Sequence, residues 1–233
     1  MSAAELTSGV DAPKGKKKPK GHPWDWHVEP PWVVQALIDA LPVNYFDGQV
    51  VYDPCCGLGT IPTVFANPNR YEVIGSDRYQ RADHRFPFFK SDFRTLSAED
   101  IIFSAGFNRE AVSIVSNFPY SKQAGKLERG LAAELCRKSL EVATHKVCAL
   151  LPLKWLAGEG KHRFLTEFPA RFYIVLNERP SMPPGNKIEQ LGAKAFKRGK
   201  VDYMWVVWDK QVTTLPGETR VIHIAPRPKE ERG

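Results

Sequence analysis

Cysteine is scarce in this chain, four in 233 residues; Cys55 and Cys56 are neighbours, while Cys136 and Cys148 fall on apolar stretches. That usage offers neither a disulfide framework nor the paired spacing of a zinc site, and it predicts a reducing, cytoplasmic setting with no metal. No apolar run reaches membrane-spanning length, and the polar, small first residues do not read as a signal peptide. Two phosphate-binding signatures are missing as well. Position 62 is Pro, so Gly57-x-Gly59 lacks the third glycine of the dinucleotide fingerprint, and the absence of Gly-Lys-Ser/Thr excludes a nucleoside triphosphate loop.

Acidic residues are outnumbered, 26 Asp and Glu against 33 Lys and Arg, for a formal net charge of +7 that suits a polyanionic partner. Part of the excess is local. Lys14, Lys16, Lys17, Lys18 and Lys20 crowd a Gly- and Pro-containing start, so residues 1–22 read as a disordered basic arm or a solubilising tail. The length allows one α/β domain with a sizeable core, expected over residues 23–226, followed by a frayed tail at 227–233.

The organising stretch is Val50-Val-Tyr-Asp-Pro-Cys-Cys-Gly-Leu-Gly-Thr60. Apolar residues leading into an acid and a glycine turn predict a buried parallel strand that ends at a ligand, because glycines let the backbone approach without a Cβ in the way. Tyr71-Glu-Val-Ile-Gly-Ser-Asp77 reads as a second strand, also ending in an acid, 24 positions after Asp53. A carboxylate there offers two oxygens to the two hydroxyls of a ribose. Phe88-Phe-Lys-Ser-Asp92-Phe-Arg predicts a third strand and its loop. Ala111-Val-Ser-Ile-Val-Ser-Asn117-Phe-Pro-Tyr120 predicts a fourth strand, rich in β-branched residues, that delivers Asn117 to the same edge.

Two of these runs carry a family resemblance. Asp53-Pro-Cys-Cys-Gly-Leu-Gly-Thr60 resembles the first motif of S-adenosylmethionine-dependent methyltransferases, in the form found in DNA amino-methyltransferases. Asn117-Phe-Pro-Tyr120 resembles the Asn-Pro-Pro-Tyr motif of enzymes that methylate exocyclic nitrogens, with Phe118 replacing the first proline. The chain is similar to small, phage-type N6-adenine DNA methyltransferases over about residues 26–210. The resemblance implies a class I Rossmann-like α/β fold: seven mostly parallel strands with an antiparallel edge strand and helices on both faces. It implies S-adenosylmethionine as cofactor, bound by Asp53, Pro54, Cys55, Gly57, Gly59, Thr60, Asp77 and Asp92, with Asp92 either accepting from the adenine amine or simply capping its turn. Catalysis falls to Asn117, Phe118, Pro119 and Tyr120. The Asn117 side-chain oxygen and Phe118 carbonyl hold the amine hydrogens, and Tyr120 stacks on the flipped base.

DNA is the implied partner, with Asn rather than Ser at 117 pointing to adenine. RNA stays open, because ribosomal RNA adenine dimethylases carry a related motif. A protein-amide methyltransferase, or a catalytically silent nucleic-acid-binding relative, is the remaining alternative. By the same resemblance Glu29-Pro-Pro-Trp32, leading into a helix that Pro42 ends, wraps the methionine end of the cofactor or merely caps and packs. Further on, an amphipathic helix is expected from Leu127 to Val142, with strands at Val147–Leu153, Arg171–Pro180, Val201–Asp209 and Arg220–Pro226, the second and third of which the resemblance implies to be the antiparallel pair at the fold's edge. The loop at 181–200 carries Lys187, Lys194, Lys197, Arg198 and Lys200, which suit phosphate contacts or a solvated surface.

Overall fold

The computed structural model describes residues 25–67, 70–105, 111–123, 125–197 and 199–232; the basic arm at 1–22 and Arg198 lie outside the described residues. Helix α1 (Pro31–Ala40) begins on a proline, whose missing N–H costs nothing in a first turn. Strand β1 (Val50–Asp53) is buried along its whole length and runs into α2 (Thr60–Ala66). Then come β2 (Glu72–Asp77), β3 (Phe88–Lys90), α3 (Ala98–Ala105) and β4 (Val112–Ser116). A short antiparallel hairpin, β5 (Lys122–Gln123) with β6 (Lys126–Leu127), precedes α4 (Leu131–Val142) and β7 (Lys146–Pro152). The chain ends through α5 (Glu159–Glu167), β8 (Phe172–Leu176), α6 (Ile188–Leu191), β9 (Tyr203–Asp209) and β10 (Arg220–Ile224).

Eight strands form one sheet in the order β10-β8-β9-β7-β4-β1-β2-β3. The reversal of strand order between β1 and β4 puts a crevice at their carboxyl ends, where ligands of open α/β sheets bind. Two details differ from the expected seven strands with an antiparallel edge. The antiparallel strand is β9, and it lies inside the sheet between β7 and β8; the edge is β10, which runs parallel to β8. β9 can sit there because it is apolar on both faces: Met204, Val206 and Trp208 join one core, and Trp205 and Val207 the other. The predicted helix from Leu127 also starts later, at Leu131. Leu127 belongs to the hairpin, and Gly130 takes a left-handed φ of 84° immediately before the helix.

Covering the sheet on both faces explains why its strands read as unbroken apolar runs. Along β1, Tyr52 packs with Ile74, Ile114 and Leu131 on one face, while Val51 packs with Leu37, Ile61 and Phe65 on the other. Each fully buried side chain of this size contributes roughly 1.5–3 kcal/mol. Trp205, wholly buried, also donates from Nε1 to the Val33 carbonyl at 2.9 Å, so α1 is tied to the sheet as well as packed on it.

The turn after β1 depends on Gly59. Its φ is 83°, and a Cβ there would lie 2.7 Å from the Phe86 ring. Gly59→Ala is therefore expected to cost about 2–3 kcal/mol of stability, from left-handed strain and overpacking together. Urea unfolding checks this; a change below about 0.5 kcal/mol, the range of a neutral surface substitution, would show that the loop adjusts freely.

Candidate active site

Because β1, β2 and β4 run parallel, their carboxyl ends bring Asp53, Asp77 and Asn117 to one edge of the sheet. All three line a single cleft, together with Glu29, Pro54, Cys55, Gly57, Thr60, Asp92 and Pro119. The cleft is open to solvent; counted to its mouth, the space in it is about 790 Å3. Of the residues expected to form the site, Gly59, Phe118 and Tyr120 do not line it. Gly59 precedes α2, and Phe118 is buried with its ring stacked on Phe93, 6.4 Å between centroids.

Asp53 is almost wholly buried and caps its own turn: Oδ1 accepts from Cys55 N at 3.1 Å and from Ser116 Oγ at 2.7 Å. Burial pushes its pKa well up against the opposing Ser116 hydrogen bond, with the nearby Glu29 adding to the rise. Asp77 holds the glycine loop from the neighbouring strand. Its Oδ2 accepts from Gly57 N at 3.1 Å, Oδ1 accepts from Tyr79 N at 3.0 Å, and Arg81 lies 3.6 Å away. Asp92 caps the turn after β3 and pairs with Arg78 and Arg94. Burial opposes its ionisation, but the two arginines outweigh it and its pKa falls. Cys55 has its pKa raised by burial and then by the acids around it, so it is no thiolate nucleophile.

Asn117 is held by hydrogen bonds at both ends of its amide. Its Nδ2 donates to Glu29 Oε2 at 2.8 Å and to the His27 carbonyl at 3.1 Å, and its Oδ1 accepts from the Tyr120 hydroxyl at 2.6 Å. Tyr120 is half-buried, its hydroxyl also 3.3 Å from the Leu150 carbonyl and its ring 6.3 Å from that of Tyr203. In this arrangement Tyr120 orients Asn117.

Several residues here escaped sequence reasoning. Ser116 and His27 carry no motif, and Glu29 suggested a wrapping role without revealing that its carboxyl reaches Asn117. Burial raises the Glu29 pKa to about 7, against hydrogen bonds from Asn117 and Thr60. The segment holding Glu29 is a strap over the cleft. Asp25 Oδ2 accepts from Ser121 N at 2.7 Å, Val28 N donates to the Pro183 carbonyl at 3.0 Å, and Gly185 N donates to the Trp26 carbonyl at 3.0 Å. Trp26 lies against Gly185 and beneath the Arg81 guanidinium, 4.1 Å from its ring centre. The hints were the Glu29-Pro-Pro-Trp32 step and the density of Trp, Pro and His at 22–32.

The loop at 181–200 is thus anchored at its start by the strap and folds into short helical turns, with Lys187, Lys194, Lys197 and Lys200 exposed. Beyond β10, Arg227 is held by the Glu178 carboxylate through Nη2 at 2.6 Å, so part of the expected frayed tail is tied to the fold. Among the described residues no cluster of metal-ligating side chains occurs, and no helix is long and apolar enough to cross a membrane.

No family model matches the chain. No curated protein matches it in sequence either. Solved structures do resemble it in fold. The type I restriction-modification system methyltransferase subunit from Streptococcus thermophilus superposes with a TM-score of 0.53 at 13% identity, covering 81% of this chain. The modification subunit of a candidate type I restriction enzyme from Vibrio vulnificus YJ016 gives 0.52 at 12% identity over 91%. The DrdV–DNA complex gives 0.55 at 11% identity over 86%. The chain spans about half the length of the first two, 46% and 49%, and 28% of the matched DrdV-complex chain. With its reversed strand order, glycine loop and inserted antiparallel strand, the chain has the fold of the class I S-adenosylmethionine-dependent methyltransferases.

Proposed function

We propose that this protein transfers a methyl group from S-adenosylmethionine to the exocyclic N6 of adenine in DNA by direct displacement. The observation that carries the reading is that Asn117 opens into the same cleft as the glycine loop and the acids Asp53 and Asp77. The residues present fit the cofactor. The Asp77 carboxylate, at the end of β2, would accept from the ribose hydroxyls, and the buried Asp53 would serve the methionine end. When bound, the cofactor supplies an electrophilic methyl on a sulfonium.

The rest is the work of the chain. An adenine amine is a poor nucleophile because its lone pair is delocalised into the ring. The Asn117 side-chain oxygen accepts one of its hydrogens, and it matters most where positive charge develops on the nitrogen. Cys55 and Cys56, their thiols kept protonated by burial, take no part. The exposed lysines of the 181–200 loop suit phosphate contacts that position DNA without reading its sequence. The structure of a DNA complex among the fold neighbours supports the same partner.

The test is to incubate the full chain with methyl-labelled S-adenosylmethionine and, separately, DNA, RNA and protein. Label is expected in DNA and, after digestion to nucleosides, in N6-methyladenine. Label confined to RNA or protein would overturn the substrate, and label in none of them would overturn the activity.

A further inference from the structure

We infer that Glu29 is a positioning residue that fixes which end of the Asn117 amide meets the substrate amine, an inference that rests on the methyl-transfer reading above. The two ends of an asparagine amide are nearly the same size, yet only the oxygen can accept an N–H. Reversed, the amide would point donors at a donor. The surroundings decide the matter. On the nitrogen side stand two acceptors, Glu29 Oε2 at 2.8 Å and the His27 carbonyl at 3.1 Å, which use both amide hydrogens. On the oxygen side stands a donor, the Tyr120 hydroxyl at 2.6 Å, which leaves Oδ1 one further lone pair. Turning the amide over would set its oxygen against a carboxylate and a carbonyl at once. Asn117 is thereby left with acceptor capacity alone, which suits an N–H substrate and disfavours one presenting a carbonyl.

Glu29 is the side-chain acceptor of this set. It is 6% exposed, directly before the prolines that open α1, and its segment is pinned by Asp25 to Ser121 and by Val28 to Pro183. The groups facing it are Asp53 from the end of β1 and Tyr120 from the loop after β4, both titratable, and Thr60, which donates to it from the start of α2. Ionised, Glu29 is an acceptor only and binds its one amide N–H more strongly than a neutral acid. Burial holds its pKa at about 7, so that strength changes within the neutral range.

The test uses the full chain with Glu29→Ala and Glu29→Gln. Alanine removes the acceptor, whereas glutamine retains one amide oxygen for Asn117. Glu29→Ala is expected to lower kcat about 10- to 100-fold with the Kd for S-adenosylmethionine held within about threefold, the split left by losing an orientation rather than a binding contact. Glu29→Gln is expected to recover most of that loss. Independently of substrate, the side-chain amide resonances of Asn117, assigned by their loss in Asn117→Ala, are expected to shift with a midpoint near pH 7 in the unmodified protein and to stay flat in Glu29→Gln. Asn117 amide resonances that do not move between pH 5 and 9, or a Glu29→Ala protein with undiminished kcat, would overturn the inference. An amide titration in a protein that methylates none of DNA, RNA and protein would uphold the Glu29 contact and sink the methyl-transfer reading instead.

Discussion

Asn117→Ala is expected to lower methyl transfer about 10²–10³-fold or more in kcat while leaving the Kd for S-adenosylmethionine within a fewfold of its original value. The magnitude is that of removing one preorganised hydrogen-bonding group aimed at developing charge. The split follows from position. Asn117 stands after β4, whereas the glycine loop is held to Asp77 by the Gly57 N to Asp77 Oδ2 bond, which does not involve Asn117. The truncation also leaves Glu29 Oε2 and the Tyr120 hydroxyl without their partner, so Asn117→Asp should be made in parallel. It keeps an acceptor and loses the donor. Single-turnover rates and calorimetry together check the prediction. Near-normal turnover in Asn117→Ala would remove this residue from the reaction.

Replacing Glu29 by Gln is expected to stabilise the protein at pH 8 and to leave it nearly unchanged at pH 5. In the folded chain burial raises the Glu29 pKa from 4.5 to about 7. Between those values the native state holds a proton that the unfolded chain has lost, so the stability present below the unfolded pKa is progressively lost as pH rises through the folded one. Two and a half units correspond to about 3 kcal/mol at most, reached just above neutrality. Asp53, buried beside it with its pKa also raised, acts in the same direction. His84 and His145 act in the opposite direction, since burial lowers their pKa values, and comparing the variant with the original chain at each pH cancels them. Urea unfolding at pH 5 and pH 8 is the measurement. Equal differences at the two values would mean that Glu29 is ionised throughout.

The legible part of this fold was the part written in local pattern. β1, β2 and β4 are short, apolar and each followed by an acid or amide, so strand, direction and edge could all be taken from the residues around Asp53, Asp77 and Asn117. What escaped depends on contacts between distant segments. The antiparallel pairing of Tyr203–Asp209 with β8 was expected and is present, but nothing near it says that it also pairs with β7 and so lies inside the sheet. The glycine before α4 and the Lys122–Leu127 hairpin are short-range features too slight to outweigh an apolar helical period. In the site, the motif residues Asp53, Asp77 and Asn117 meet in one cleft, but their partners Ser116, Glu29 and His27 lie 63 to 90 positions from the groups they bind. A carboxylate before two prolines has no signature of its own. Only the folded strap brings it against the Asn117 amide.

The account rests on a methyl donor lying in the cleft between the glycine loop and Asn117. Calorimetric titration of the full chain with S-adenosylmethionine, repeated on Asp77→Ala, tests that directly. The account predicts one site per chain, with affinity about 10- to 100-fold weaker in Asp77→Ala, the loss of one or two charge-assisted hydrogen bonds. No binding to the unaltered chain, or equal binding by both proteins, would contradict it.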